Sequence, residues 1–489
     1  MALKSPWKIA KPGVKYILNS SGSHRTTGES QDTRFDGSFG NALWTPKGTD
    51  DRMIPDAISA RFCDNANYAL SWAYVPQIHL LMEFDGRLDP DQLKRALHLT
   101  LYAEPVLGCR FVPRWINPYW ARIAEDELDN SAFFRVLTGE ELTLEAALEA
   151  FLVEPINELQ GPQVKALLLR GERGDRLALK LNHQVVDASG TKEFGYLLAS
   201  LYRELGNNAD IRPSPNLGAR SMRQVYGRFS KRRLLSILLT YFKEFLDSSI
   251  PYQSMTYPMK SDANGRHTFV MKRLSGERVR PIKAYCAEMD ATINDVVAAA
   301  LLRSYVRKTG WSGNGELRMV GTVDLRRYLP NRRAQALCNL SSFYFIDLGR
   351  SLGALFDDTL SRIKGQIDAL KTDNLGLSFA LGTYLLGLPY PFGLKTLMFR
   401  EYFSKLAATG NIPPSMTNLG TIDDTALDFG SPDITAAEVL VPPCNPPFLV
   451  TGLSGYRDTL TLSLGFRESA LPRAEVMELF EVVNQELPS

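Results

Sequence analysis

Histidine and cysteine are scarce in this chain of 489 residues, which contains five of each. The cysteines are widely separated and none has the spacing of a metal site: Cys63, Cys109, Cys286, Cys338 and Cys444. We therefore expect neither a disulfide framework nor a bound metal, and buried free thiols fit a reducing, cytoplasmic compartment. The N-terminus also lacks the apolar core of a secretory signal peptide, which agrees with a cytoplasmic location.

Net charge is also small. Lys and Arg number 56 against 54 Asp and Glu, a balance of +2 at pH 7. This balance argues against a general nucleic-acid binder but leaves room for a local basic patch. The hydrophobic share of 44% and the charged share of 22% are those of a soluble globular protein, and the length suggests two to four domains. We expect a monomer.

One stretch without charged residues, 374–394, is long enough to cross a bilayer. Glycines and prolines interrupt it repeatedly, at Gly376, Gly382, Gly387, Pro389, Pro391 and Gly393. We therefore predict two short buried helices joined by the Pro389-Tyr390-Pro391 turn rather than a membrane span.

Strand and helix patterns alternate along most of the chain, which predicts an α/β protein in four parts. Residues 1–50 are polar and predicted to be a poorly ordered extension. Residues 51–205 form an N-terminal lobe, 206–265 a basic connector and 266–489 a C-terminal lobe.

The connector concentrates positive charge at Arg220, Arg223, Arg228, Lys231, Arg232 and Arg233. One interpretation is a basic helix face in water. The other is a surface that attracts phosphate groups, an acidic protein or anionic lipid headgroups.

A histidine follows a strand pattern in the N-terminal lobe. Leucine alternates with other residues over 177–181, and a helical pattern begins near Gly190. His183 thus lies where a strand ends and the chain turns, with Asp187 four residues later. Such a position can present a side chain to a cleft, although the spacing alone also fits a buried histidine bonded to local backbone.

The segment Asn182-His183-Gln184-Val185-Val186-Asp187-Ala188 resembles the His-His-x-x-x-Asp-Gly motif of the condensation-domain and chloramphenicol acetyltransferase-like superfamily. This superfamily includes the alcohol acetyltransferases and the BAHD acyltransferases. Asn182 replaces the first histidine of the motif, and Ala188 replaces its glycine. The BAHD pattern requires only the histidine that corresponds to His183.

Other segments resemble the same superfamily, in the same order, over about residues 55–489. They are the strand, helix and strand over 84–111, the Thr-x-Asn-Asp helix start at 292–295, the Val-Asp-x-Arg and Asn-x-x-Ser runs at 323–326 and 339–342, and the segments 417–420 and 428–432. The resemblance implies an α/β fold of two similar chloramphenicol acetyltransferase-like sandwich lobes with a tunnel at their interface.

The resemblance also implies an activity, an acyltransferase of EC 2.3.1 type such as secondary metabolism uses. An acyl group would move from a thioester of coenzyme A or of an acyl carrier protein's phosphopantetheine to a small-molecule alcohol or amine. His183 would be the general base, with no covalent enzyme intermediate and no covalently bound cofactor. Asp187 would be structural and pair with an arginine, for which Arg326 is the first candidate and Arg110 the second.

The oxyanion of such a reaction needs a hydrogen-bond donor. The candidates are Asn182, the backbone amide of Gly190, Ser415, Thr417 and Asn418. Two other interpretations stay open. The replacements at 182 and 188 favour a condensation-like protein that has lost turnover and only binds a partner. The basic connector and the charge-free stretch favour a lipid acyltransferase at a membrane surface.

Overall fold

Two lobes, each built on its own β-sheet, make up the computed structural model, which describes residues 54–248, 253–261, 265–372, 374–387 and 389–489. The two-lobed α/β architecture that the resemblance implied is confirmed. The predicted extension, residues 1–50, lies outside the described residues.

The N-terminal lobe alternates strands with helices. Its elements are β1 (Ala57–Ser59), α1 (Phe62–Ala69), β2 (Gln77–Phe84), α2 (Pro90–Ala103), β3 (Cys109–Val112), β4 (Tyr119–Arg122), α3 (Glu125–Asn130), β5 (Phe134–Thr138), α4 (Glu141–Val153), β6 (Val164–Arg170), β7 (Asp175–Asn182) and α5 (Ala188–Asn207). The start of α2 is set by its local sequence, because Asp89 caps the helix by accepting from the amides of Asp91 and Gln92. Pro90 occupies the first helical position, where no amide hydrogen is needed.

The connector and the C-terminal lobe contain the remaining elements. They are α6 (Arg223–Tyr226), α7 (Lys231–Ser248), β8 (His267–Leu274), α8 (Gly276–Glu288), α9 (Ile293–Thr309), β9 (Arg318–Asp324), β10 (Ser341–Asp347), α10 (Phe356–Thr372), α11 (Leu377–Gly387), α12 (Phe392–Ala408), β11 (Ser415–Ile422), β12 (Ile434–Leu440), β13 (Val450–Tyr456), β14 (Thr459–Arg467) and α13 (Arg473–Glu486).

The sheets show that the chain crosses between the lobes. The C-terminal sheet has the order β10-β9-β11-β13-β14-β8, and the N-terminal sheet has the order β12-β2-β7-β6-β5. Strand β12 therefore comes from the C-terminal half but pairs antiparallel with β2. A small third sheet, β1-β4-β3, belongs to the N-terminal half.

The strand that leads to His183 is buried on both faces. Lys180, on the face opposite Leu179 and Leu181, is fully buried. Its ammonium group donates to the carbonyls of Phe151 at 2.8 Å and Glu154 at 2.6 Å, at the C-terminal end of α4. Burial lowers the pKa of Lys180 to about 7, against the opposing carboxylate of Glu154. Lys180 thus supplies donors to helix carbonyls that lack intrahelical partners.

The charge-free stretch breaks into two helices at the predicted turn. Helix α11 ends at Gly387, and α12 begins after Pro391. The expectation that both are buried is wrong for α12, in which Phe392 is the buried side chain. Among the described residues, no helix combines the length and apolar character that crossing a membrane requires.

Candidate active site

The ring of His183 is fixed by a carbonyl of its own turn. Nδ1 lies 2.7 Å from the carbonyl oxygen of Val186. Because a carbonyl can only accept, Nδ1 carries the proton and the neutral ring leaves Nε2 unprotonated. The backbone amide of His183 donates to the carbonyl of Pro76 at 2.8 Å, which ties the turn to the start of β2. One ring nitrogen is thus available to accept a proton.

Burial keeps this ring neutral. It lowers the pKa of His183 below the ordinary value, while the Val186 carbonyl and the Asp187 carboxylate act in the opposite direction. The side chain is only partly covered, and the ring of Tyr74 stands edge-on to it with the ring centroids 6.1 Å apart. A neutral, partly accessible imidazole is the form that can serve as a base near pH 7.

Asp187 joins the histidine turn to the C-terminal lobe. Its Oδ1 accepts from the backbone amide of Gly190 at 2.9 Å and so caps α5. Its Oδ2 accepts from Arg326 Nη1 and from the backbone amide of Leu340, each at 2.7 Å. Burial by itself would raise the pKa of Asp187, but Arg326 and the two amides lower it. The carboxylate is therefore charged and faces structural partners.

Arg326 is buried among several acceptors. Nη1 lies 3.2 Å from a carboxylate oxygen of Asp324, and Nε lies 3.4 Å from Glu193. Nη2 donates to the carbonyl of Cys338 at 2.9 Å. Arg110, the second candidate for the Asp187 partner, instead forms an ion pair near the surface. Arg326 thus holds carboxylates of both lobes together.

Asn339, in the C-terminal lobe, contacts His183 directly. Its Nδ2 donates to the His183 carbonyl at 3.0 Å and lies 3.4 Å from the ring Nδ1. Its Oδ1 accepts from the amide and the hydroxyl of Ser341 at 3.1 and 2.7 Å, which fixes the orientation of the amide. Asn339 therefore restrains the turn that presents the ring.

A second buried arginine, Arg220, forms a hydrogen bond to the same turn. The Arg220 guanidinium forms a two-pronged ion pair with Asp64 at 3.0 and 3.1 Å. Its Nη2 also donates to the carbonyl of Val185 at 3.3 Å, and its Nε to that of Leu337 at 2.9 Å. The Trp120 indole donates to the same Asp64 carboxylate at 2.9 Å. The expectation of a solvated basic face is thus wrong for Arg220, whose charge is paired in the interior.

The two departures from the motif are accommodated locally. The Asn182 side chain is buried, donates to Gln163 Oε1 at 2.6 Å and accepts from the backbone amide of Gln184 at 2.9 Å. It shapes the turn from inside the lobe. Ala188 begins α5 without a positive φ, so this position does not require glycine. The amide of Gly190 is already bonded to Asp187.

The other oxyanion candidates lie on β11. Thr417 shares a hydrogen bond of 2.6 Å with the Thr322 hydroxyl. Asn418 is exposed and lies 3.4 Å from Asn294. Ser415 is half-buried, and its backbone amide bonds to the neighbouring strand. Within the described residues, the hydrogen bonds of His183 involve Pro76, Val186 and Asn339, and none of these three residues of β11.

Three residues of the site were not predicted from the sequence: Asn339, Arg220 and Asp64. The sequence marked Asn339 as the first residue of the Asn-x-x-Ser run, but this run did not indicate that Asn339 contacts His183. Arg220 was hidden among neighbouring basic residues, and Asp64 is 156 positions away from it. Within the described ranges, no cluster of His, Cys, Asp and Glu has the arrangement to hold a metal ion.

Comparison with solved structures gives the fold. No protein-family model and no curated protein matches the chain. The TRI3 trichothecene 15-O-acetyltransferase from Fusarium sporotrichioides is 13% identical with a TM-score of 0.67, over 91% of this chain and 96% of that one. The first condensation domain of the CDA synthetase is 17% identical with a TM-score of 0.64, over 88% and 95%.

This chain has the condensation-domain fold. Polyketide synthase associated protein 5 from Mycobacterium tuberculosis also matches, at 16% identity and a TM-score of 0.61, over 88% of this chain and 97% of that one. These similarities extend across both lobes and agree with the resemblance found from the histidine motif. At such identities they establish the condensation-type fold, and the fold alone does not determine the reaction.

Proposed function

We propose that this protein is an acyltransferase that moves an acyl group from a thioester to a hydroxyl or amine, with His183 as general base. The observation that carries the proposal is the 2.7 Å contact between Nδ1 of His183 and the Val186 carbonyl, which leaves Nε2 free to accept a proton. The lowered pKa of His183 supports the same role, because the ring is neutral at pH 7.

The chemistry requires one base and no covalent intermediate. Nε2 of His183 takes the proton from the acceptor while the acceptor's oxygen or nitrogen attacks the thioester carbonyl carbon. The tetrahedral intermediate collapses, the carbon–sulfur bond breaks, and the proton passes from the imidazolium to the departing thiolate. Asp187 and Asn339 keep the turn in place through these steps. Both substrates would meet at this nitrogen in the expected tunnel between the lobes.

The donor is a thioester of coenzyme A or of an acyl carrier protein, since the two share the same phosphopantetheine arm. The binding-only alternative rests on Asn182 and Ala188. Its support is weak, because the Asn182 amide has buried partners and Ala188 needs no unusual backbone angle. Neither replacement removes an atom that the proposed proton transfer uses.

Replacing His183 tests the proposal. We expect His183→Ala to lower thioester-dependent turnover by about a hundred- to ten-thousand-fold, the usual contribution of a general base. Turnover is measured as thiol release from a panel of acyl-coenzyme A donors, with mixed alcohols and amines as acceptors.

His98 offers a matched control, because it is a half-buried histidine on α2. His98→Ala should leave turnover unchanged, and circular dichroism should show that both variants fold. Unchanged turnover in His183→Ala would refute the role of the base. If the wild-type protein releases no thiol from any donor, but retains a thioester on isolation, the binding-only alternative is favoured.

A further inference from the structure

Helix α7 in the connector is apolar on two opposite faces. Its inward face is buried through Ile237 and Tyr241, and the Tyr241 ring packs against Gly382 of α11. Its outward face carries Leu235, Leu239 and Phe242, which are 58%, 60% and 41% exposed. The outward residues are spaced by four and three positions and so form one stripe along the helix. The packing of the lobe uses the inward face and leaves this stripe uncovered.

Positive charge surrounds the exposed stripe. Lys231, Arg232, Arg233 and Lys243 are all exposed, and residues 231–243 contain no acidic residue. Among the described side chains, which leave out those of 244–250, none is in an ion pair with these four cations, whereas Arg220, eleven positions before Lys231, is paired in the interior. Arg232 and Lys243 lie on the same side of the helix as the leucines, one before Leu235 and one after Leu239. The outward face of α7 therefore combines exposed cations with large apolar side chains.

We propose that the outward face of α7 binds the surface of an anionic lipid bilayer. A surface helix with a long apolar stripe and basic flanks lies in the interface, with its apolar side chains among the acyl chains and its cations among the headgroups. Lys231, Arg232 and Lys243 supply the complementary charge, at about one kcal/mol, or roughly fivefold in affinity, for each residue near an anionic surface. The proposal concerns where the protein acts, at a membrane surface, and does not depend on the proposed reaction.

The composition of the face favours a bilayer over an acidic protein partner. Three large side chains that are about half exposed would be poorly used by a partner that pairs only with the charges. A bilayer accepts both features along the 13 residues from 231 to 243, which extend roughly 20 Å at the rise of an α-helix. Leu142 on α4 provides a contrast, since it is 86% exposed but lies beside Glu140, Glu141 and Glu145.

Vesicle flotation of the full chain tests the proposal. We use phosphatidylcholine vesicles with and without phosphatidylserine, and we expect flotation with the anionic vesicles alone. Arg232→Ala with Lys243→Ala should weaken binding about thirtyfold, and Leu235→Ser with Leu239→Ser at least tenfold. The exposed positions of these residues allow the variants to fold, which circular dichroism checks.

Two double variants serve as controls. Lys94→Ala with Arg280→Ala removes exposed cations of α2 and α8, and Leu142→Ser with Met477→Ser removes exposed apolar side chains of α4 and α13. Both should float within twofold of the wild-type protein. The proposal is overturned if the wild-type chain does not float, if neutral vesicles bind it equally well, or if the α7 variants behave like the controls. It is also overturned if an acidic acyl carrier protein, and no vesicle, binds through these residues.

Discussion

Two buried arginines hold the histidine turn, and they differ in how much negative charge surrounds them. Arg326 contacts Asp187 at 2.7 Å, Asp324 at 3.2 Å and Glu193 at 3.4 Å. Arg220 pairs with one carboxylate, that of Asp64. Both also donate to carbonyls of the 337–340 segment. The same stretch of the C-terminal lobe is therefore tied to the turn twice.

The two ion pairs of these arginines have different roles in the structure. Asp187 sits four residues after His183 and fixes the start of α5, so its pair with Arg326 determines where the base is held. Asp64 belongs to α1, so its pair with Arg220 ties an N-terminal helix to the connector. A buried arginine with one carboxylate partner depends on that carboxylate for charge neutralisation, because an unpaired buried charge is costly. We therefore expect the Asp187–Arg326 pair to matter more for activity and the Asp64–Arg220 pair to matter more for stability.

The largest expected effect is on stability, in Asp64→Ala. This variant leaves Arg220 buried without a carboxylate and removes the acceptor of the Trp120 indole, which should lower the free energy of unfolding by about 3–5 kcal/mol. Asp187→Ala should cost less, because Arg326 keeps Asp324 and Glu193, yet it should lower turnover more. Urea unfolding and thiol release measure the two effects.

Asp458→Ala is the control for this comparison, since Asp458 is 87% exposed in a surface ion pair with Lys283. Its free energy of unfolding should stay within about 0.5 kcal/mol of the wild-type value. The comparison fails if Asp187→Ala proves less stable than Asp64→Ala, or if the folded fraction of Asp64→Ala loses as much turnover as Asp187→Ala.

The next effect concerns Glu104, a buried carboxylate that also contacts the 337–340 segment. Glu104 accepts from Asn216 at 2.7 Å and from the Leu337 amide at 3.2 Å, and burial raises its pKa from 4.5 to about 7. As the pH rises, the Glu104 carboxyl therefore ionises at a lower pH in the unfolded chain than in the folded protein. The free energy of unfolding should consequently fall between about pH 4.5 and 7, by roughly 3 kcal/mol in total.

Glu104→Gln removes this ionisation. Its free energy of unfolding relative to the wild-type protein should increase by about 2–3 kcal/mol from pH 5 to pH 8, measured by urea unfolding at each pH. Glu125→Gln, at a residue whose side chain is 84% exposed, should show no such change. Parallel stability curves for Glu104→Gln and the wild-type protein would contradict the prediction.

The smallest effect should come from Asn339, a neutral link between the same two stretches. Asn339→Ala removes one hydrogen bond to the His183 carbonyl, worth about 1 kcal/mol. We expect kcat to fall about tenfold while KM for the donor stays constant, because the base is less well held. Ser341→Ala, which loosens Asn339 without removing it, should give a smaller decrease. A change in KM with constant kcat would show that Asn339 contacts substrate instead.

Much of this site could be predicted where the signal was local or carried by resemblance. Asp89 and Pro90 are local signals for the start of α2, and Arg326 lies in the Val-Asp-x-Arg run. Arg220 could not be predicted, because its partner is distant in sequence and its neighbours are solvated cations. Lys180 looked like the polar position of a half-exposed strand, yet the end of α4 covers that face. Long-range packing decided both.

The pairing of β12 with β2 makes the folding of the N-terminal lobe depend on a strand from the C-terminal half. A fragment that ended at residue 205 would lack this partner, and β2 would present a row of free amide and carbonyl groups. Such open edges recruit strands from other chains and lead to aggregation. The halves are interlocked rather than merely adjacent, so neither is an independent module that could be cut out or transplanted.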